Sequence, residues 1–160
     1  MFKQWLLSIL VDKRAKILIT QDQLEMVATP SMNNTHLEAM LLINQLSKTI
    51  DTNNKEAINE VFSELIEHTQ EHCKHEEELM VEKKFPKYLD HKQEHDDTLV
   101  EMQKVALEFK DTQNIEATKK YVDFTLAPWF VRHTETMDTV TSMFIENSET
   151  HLPYWEEMIY

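Results

Sequence analysis

Apolar residues recur along this chain at helical spacing, in four long runs separated by short polar turns. The first run covers about 32–50, with His36, Met40 and Ile43 on one stripe and Leu37 and Leu41 beside it. Asn33 or Asn34 is the expected cap of that helix. Asp51-Thr52-Asn53-Asn54 reads as a turn. The second run covers about 55–83 on the stripe Ile58, Val61, Leu65, Thr69, His72, Glu76, Leu79, and Pro86 then breaks the chain. The third covers about 87–110 on Tyr88, His91, His95, Leu99, Met102, Val105, Phe109, and Asp111-Thr112-Gln113-Asn114 is the next turn. The fourth covers about 115–147 on Val122, Leu126, Trp129, His133, Met137, Val140, Phe144. Pro128 lies inside it and is expected to kink it, because proline has no N–H to give.

Four amphipathic helices with short loops predict an all-α, antiparallel up-down-up-down four-helix bundle over residues 18–147. An N-terminal extension (1–17) precedes it and a short C-terminal tail (148–160) follows. Composition agrees. The 160 residues contain no glycine, which excludes a phosphate-cradling glycine loop and leaves few tight hairpins. Sixteen Lys and Arg stand against 29 Asp and Glu, a net charge of −13, so a nucleic-acid partner is not expected. One cysteine excludes an internal disulfide and fits a reducing compartment. No apolar run reaches the roughly 18 residues of a membrane span. The short apolar start runs directly into Asp12-Lys13-Arg14 without a signal-peptide cleavage site, so the expected location is cytoplasmic.

Each apolar stripe carries histidine at mid-helix. His36 stands on the first; His72 and Glu76 are four apart on the second; His91 and His95 are four apart on the third. Residues four apart share a helix face. His133 stands on the fourth, with Asp138 five residues later, a spacing that turns a regular helix roughly 140° out of line. Burying five imidazoles and two carboxylates without partners costs on the order of 1–3 kcal/mol each. Metal ions remove that cost. Seven ligands exceed the four of an ordinary zinc site and suit two metals sharing carboxylates. Imidazole with carboxylate and no thiolate fits iron. Two octahedral irons present twelve positions. Five histidines, two bridging carboxylates and one oxo or hydroxo bridge fill eleven, leaving one open for a small ligand such as O₂.

The same residues carry a resemblance. Asn33-Asn34-Thr35-His36 leading into Ile43-Asn44-Gln45-Leu46 is similar to the single-domain bacteriohemerythrins of the hemerythrin family. So are His72-Cys73-Lys74-His75-Glu76-Glu77, Phe85-Pro86 with His91-Lys92-Gln93-Glu94-His95, and Trp129-Phe130-Val131-Arg132-His133 through Asp138. The resemblance spans about residues 18–147. It implies that His91, His95 and His133 hold one iron, and that His36 and His72 hold the other, which keeps the open position. Glu76 and Asp138 bridge. The implied activity is reversible O₂ binding rather than turnover, for storage, delivery or scavenging. Ala39, Cys73, Trp129 and Phe130 are the implied O₂-pocket residues. Cys73 stands where the family usually has an aromatic, Phe130 where it has leucine, and Ala39 where it has a larger aliphatic; Phe130 is expected to fill what the other two vacate.

Some residues have a second reading. His68, one turn before His72, is either a support of the site or bundle surface, and His75 is expected at the rim. Cys73 is either a small core residue or a redox-active thiol. Within residues 1–16, Lys3, Lys13, Arg14 and Lys16 stand against Asp12, which suits a membrane surface, a protein partner or the acidic bundle itself. The tail, with Tyr154 and Trp155, is expected to pack back on the bundle. A monomer or weak homo-oligomer is expected. The alternatives to an O₂ carrier are an O₂ or redox sensor acting through a partner, and a di-iron peroxidase or nitric oxide detoxifying enzyme. Iron storage is disfavoured, because closed histidine ligation holds its ions.

Overall fold

Helix boundaries in this chain follow from local side-chain chemistry. The computed structural model describes residues 17–147. The expected docking of residues 1–16 and packing of residues 148–160 lie outside the described residues. Helix α1 is Pro30–Asp51, α2 is Lys55–Glu82 and α3 is Tyr88–Thr112. The fourth stretch is a continuous helical rod built of α4 (Ile115–Tyr121), α5 (Ala127–His133) and α6 (Thr139–Asn147), joined by π-turns at Val122–Leu126 and Thr134–Asp138. No strand occurs among the described residues.

Asn54 caps α2 by accepting from Ala57 N at 3.1 Å, and Asn114 caps α4 by accepting from Ala117 N at 3.0 Å. The start of α1 differs from expectation. Thr29 is the cap residue and Pro30 opens the helix, where its fixed φ is suitable and a missing N–H costs nothing. Asn33 lies inside the first turn and clamps the incoming chain instead. Its side chain accepts from Val27 N at 2.8 Å and donates to Val27 O at 2.9 Å. Asn44 holds the preceding segment the same way, accepting from Ile19 N at 2.8 Å and donating to Ile19 O at 2.7 Å.

Without glycine, the helix exits use other residues in the left-handed region. Asn53 (φ 60°), Lys84 (φ 58°) and Gln113 (φ 53°) follow α1, α2 and α3 in turn. Only asparagine among these is a common occupant of that region.

The distortion expected at Pro128 takes the form of the first π-turn. Ala127 N–H reaches back five residues to Val122 O, one turn before the proline ring would crowd a regular helix, and the rod continues. The main core joins Leu46 and Ile50 of α1, Ile58, Phe62 and Leu65 of α2, Met102 and Phe109 of α3, and Val122 and Leu126 of the fourth rod. A smaller cluster, Met80, Phe85 and Phe144, closes further along the helices. The histidines of α2, α3 and the fourth rod fall between these two clusters in sequence. Rigid apolar packing therefore flanks the polar layer on both sides. No helix among the described residues is long and apolar enough to cross a membrane.

Candidate metal centre

The seven residues read from the sequence as ligands meet in that layer. His36, Glu76, His91, His95, His133 and Asp138 are all buried, and His72 is 11% exposed. Two groups have the placement of metal ligands, with their donor atoms within 4.8 Å of one another. One is His91, His95, His133 and Asp138; the other is His36, His72 and Asp138. Asp138 belongs to both. Its Oδ1 lies 3.1 Å from the Nε2 atoms of His91 and His133, and its Oδ2 lies 3.0 Å from His36 Nε2. Glu76 Oε2 lies between the groups, 3.6 Å from His95 Nε2, 3.7 Å from His72 Nε2 and 3.9 Å from His91 Nε2.

The awkward five-residue step from His133 to Asp138 is resolved by the second π-turn. One extra residue in the turn brings i and i+5 onto the same face. Thr139 Oγ1 donates to Thr134 O, also five residues back, at 2.9 Å.

Three imidazoles are oriented from behind. His91 Nδ1 meets Thr141 Oγ1 at 2.8 Å, His95 Nδ1 meets Glu77 Oε1 at 3.3 Å, and His133 Nδ1 meets Glu94 Oε2 at 3.2 Å. Glu94 also accepts from Trp129 Nε1 at 3.3 Å, and the Trp129 ring stacks on His133 with centroids 4.7 Å apart. A carboxylate only accepts, so Nδ1 of His95 and of His133 carries the proton. In their neutral forms these rings then turn bare Nε2 lone pairs toward the same point, 3.2 Å apart. A cation placed between them relieves that repulsion, and carboxylate-backed imidazoles are the usual surroundings of one. Further atoms lack partners: both nitrogens of His36, both oxygens of Glu76 and Asp138 Oδ1 are buried without a hydrogen bond. His36 Nε2 and Asp138 Oδ2 are near neighbours that do not satisfy each other, as expected for donors aimed at a third body. The donor set therefore fits metal cations, and nitrogen with oxygen fits iron.

The electrostatics agree. Burial pushes His72 down to about 3 and His95 down to about 2, so both rings are neutral at pH 7 with lone pairs to offer. Burial, reinforced by the neighbouring Asp138, holds Glu76 well above the usual carboxylate range. Burial alone would raise Asp138 as well, but the His133 imidazole, with the His36 and His91 rings close beside it, holds it well below. His133, which burial alone would lower, is held above its ordinary value by Asp138 and Glu94. A cation bound between these rings would balance the Asp138 charge.

Beside His72 lies a cavity of about 30 Å³. Ala39, Cys73, Trp129 and Phe130, the residues implied as pocket lining, all border it, together with the apolar Ile43 and Leu126. Phe130 meets His36 edge-on at 6.3 Å. Burial pushes the Cys73 thiol up, so it stays protonated and behaves as a small core residue rather than a reactive thiolate. His75 is exposed, as expected of a rim residue.

Sequence reading missed Glu77, Glu94 and Thr141 as supports of the site. A signal existed for the two carboxylates, since each stands next to a ligand position (Glu76, His95) on a helix already assigned to the site. Thr141 had none, because its role depends on the register of α6 against α3.

The hemerythrin HHE cation-binding domain is the family pattern that this sequence matches, over residues 28–144. The chain belongs to the hemerythrin family. No curated protein gives a match. The matched span contains every histidine and carboxylate of the two ligand groups, so this hemerythrin domain and its buried metal-binding cluster coincide.

Proposed function

We propose that this hemerythrin domain binds O₂ reversibly at a carboxylate-bridged pair of iron ions. His91, His95 and His133 would hold one iron, His36 and His72 the other, with Asp138 and Glu76 bridging. The observation that carries this reading is Asp138, shared between two histidine groups beside an apolar cavity. With three histidines on one side and two on the other, an iron held by His36 and His72 would keep an open position, and His72 borders the cavity. Bound iron would supply the electrons and the vacant coordination position that O₂ requires. The chain's own groups do the rest. Glu77 and Glu94 hold the His95 and His133 imidazoles in one tautomer, and Thr141 helps to orient His91. Ile43, Leu126 and Phe130 keep the cavity apolar, and its volume admits one small molecule.

Binding is favoured over turnover by the lining. No lysine, arginine or carboxylate other than Asp138 borders the cavity among the described residues, and Thr69 spends its hydroxyl on Leu65 O at 2.8 Å. The short connections between the four helical stretches support an antiparallel up-down-up-down order. A lone, buried cysteine supports a cytoplasmic, reducing location.

The test is an absorption spectrum of iron-loaded protein, reduced without air, exposed to O₂ and then purged. A visible charge-transfer band that appears with O₂ and vanishes on purging is the expected outcome. Irreversible oxidation on first exposure overturns the carrier reading.

A further inference from the structure

The cavity beside His72 has a deep side and an outer side. Ala39, Ile43, Met102 and Leu126 form buried walls. The outer side is formed on α2 by His68, Thr69 and His72, which retain partial exposure. His68, 17% exposed, reaches across from α2 to α1. Its Nε2 lies 3.1 Å from the backbone carbonyl oxygen of Thr35, and its Nδ1 lies 3.9 Å from the Glu38 carboxylate. A carbonyl only accepts, so Nε2 donates the proton of this bond. The ring therefore spans the seam between the two helices at the edge of the cavity.

Trp129 and His72 are the other partly exposed rings on the lining; Trp129 is fixed by its stack on His133 and its bond to Glu94, and the His72 Nε2 faces inward, 3.7 Å from the buried Glu76 carboxylate. The Thr69 hydroxyl is tied to its own helix. His68 is held differently: the bond to Thr35 is the one hydrogen bond its ring makes among the described residues. Turning about its side-chain torsions breaks that single bond and moves the ring out of the seam, while the helices stay in place.

We propose that His68 is the gate through which small uncharged molecules pass between solvent and this cavity. The apolar walls select against ions, which would lose their hydration on passing in. The proposal rests on the O₂ reading only for the identity of the molecule admitted. A replacement that removes both ring and donor opens the route. One that keeps a donor within reach of Thr35 keeps it closed.

Cys73, the chain's one cysteine, borders the same cavity and is buried; its protonated thiol reacts slowly in every variant, so the ratio of rates between variants reports passage. The experiment uses the full-length, iron-loaded chain and follows modification of Cys73 by mass. A small uncharged reagent, methyl methanethiosulfonate, is compared with a bulky polymer-linked maleimide. In H68A the small reagent should react about fivefold faster, the factor that one hydrogen bond is worth, with the bulky reagent and the melting midpoint unchanged. H68Q, whose amide can donate to Thr35 O, should stay near the parent rate. An unchanged H68A rate overturns the proposal. So does equal acceleration of both reagents, which signals loosening of the helix pair. Should H68A not fold, H68V, which also lacks ring and donor, makes the same comparison with H68Q; faster reaction in H68V supports the gate and equal rates overturn it. These rates are read whether or not an O₂ band forms, so failure of the O₂ reading and failure of the gate give different results.

Discussion

Asp138 Oδ1 lies 3.1 Å from His133 Nε2, five residues back on the same helical rod, because a π-turn spans Thr134–Asp138. A regular helix would point these two side chains apart. The extra residue of the turn brings them together and leaves α5 and α6 helical on either side. The carboxylate then faces His36 with its other oxygen, so one residue joins two histidine groups.

The π-turn amounts to one inserted residue, so removing one should restore a regular helix. Deletion of exposed Thr136 would leave His133 and Asp138 four apart, on one face, with α6 in its present register. The variant should fold and keep its metal content, measured by elemental analysis and thermal melting. Loss of both metal and fold would show that the flanking register depends on the turn.

Metal stoichiometry should follow the two groups. His72→Ala removes a ligand from the two-histidine group, so the O₂-dependent band should vanish while the His91–His95–His133 group still retains one ion. Asp138→Ala should reduce content at both positions. Elemental analysis of the purified variants reads both outcomes, and an unchanged O₂ band in His72→Ala would sink the assignment.

Chelation should destabilise the fold. Both oxygens of Glu76 and both nitrogens of His36 are buried without hydrogen bonds, so removing a cation leaves them uncompensated. The melting midpoint should fall on chelation and recover on adding ferrous iron. Equal midpoints with and without chelator would mean that no cation is held in this layer.

Glu94→Gln should weaken metal binding without unfolding the bundle. Glu94 accepts from His133 Nδ1 and Trp129 Nε1 at the edge of the site. Loss of its charge lowers the basicity of the His133 ring, and changes of this kind cost roughly 10–100-fold in affinity. Competition with a coloured chelator measures the change.

Lys84→Gly should stabilise the protein. Lys84 holds a left-handed conformation at the exit of α2, which costs a residue with a Cβ roughly 1–2 kcal/mol. Glycine removes most of that strain but gives some back as unfolded-state entropy, leaving a net gain of about 1 kcal/mol. Denaturant unfolding checks it.

Much of this was legible from spacing. Helix periodicity placed His36, His72, Glu76, His91 and His95 on core-facing stripes, and all five are found in the polar layer. The cap of α1 was misread because Asn33 is a good cap by type, yet its side chain is engaged by Val27, a contact that depends on the path of the preceding loop. Pro128 is expected to kink the fourth helix, and a π-turn at Val122–Leu126 stands directly before it.

The sequence by itself determined which residue types stand at which helical positions: four amphipathic runs, a histidine layer and two carboxylates. These follow from a local period, which each helix expresses alone. Only the tertiary structure decided that Asp138 faces both histidine groups, that Thr141, Glu77 and Glu94 back the imidazoles, and that His68 reaches Thr35 across a seam. Those pairings depend on the rotation and axial register of one helix against another. Packing of side chains distant in the chain sets both, and no single-helix periodicity encodes them.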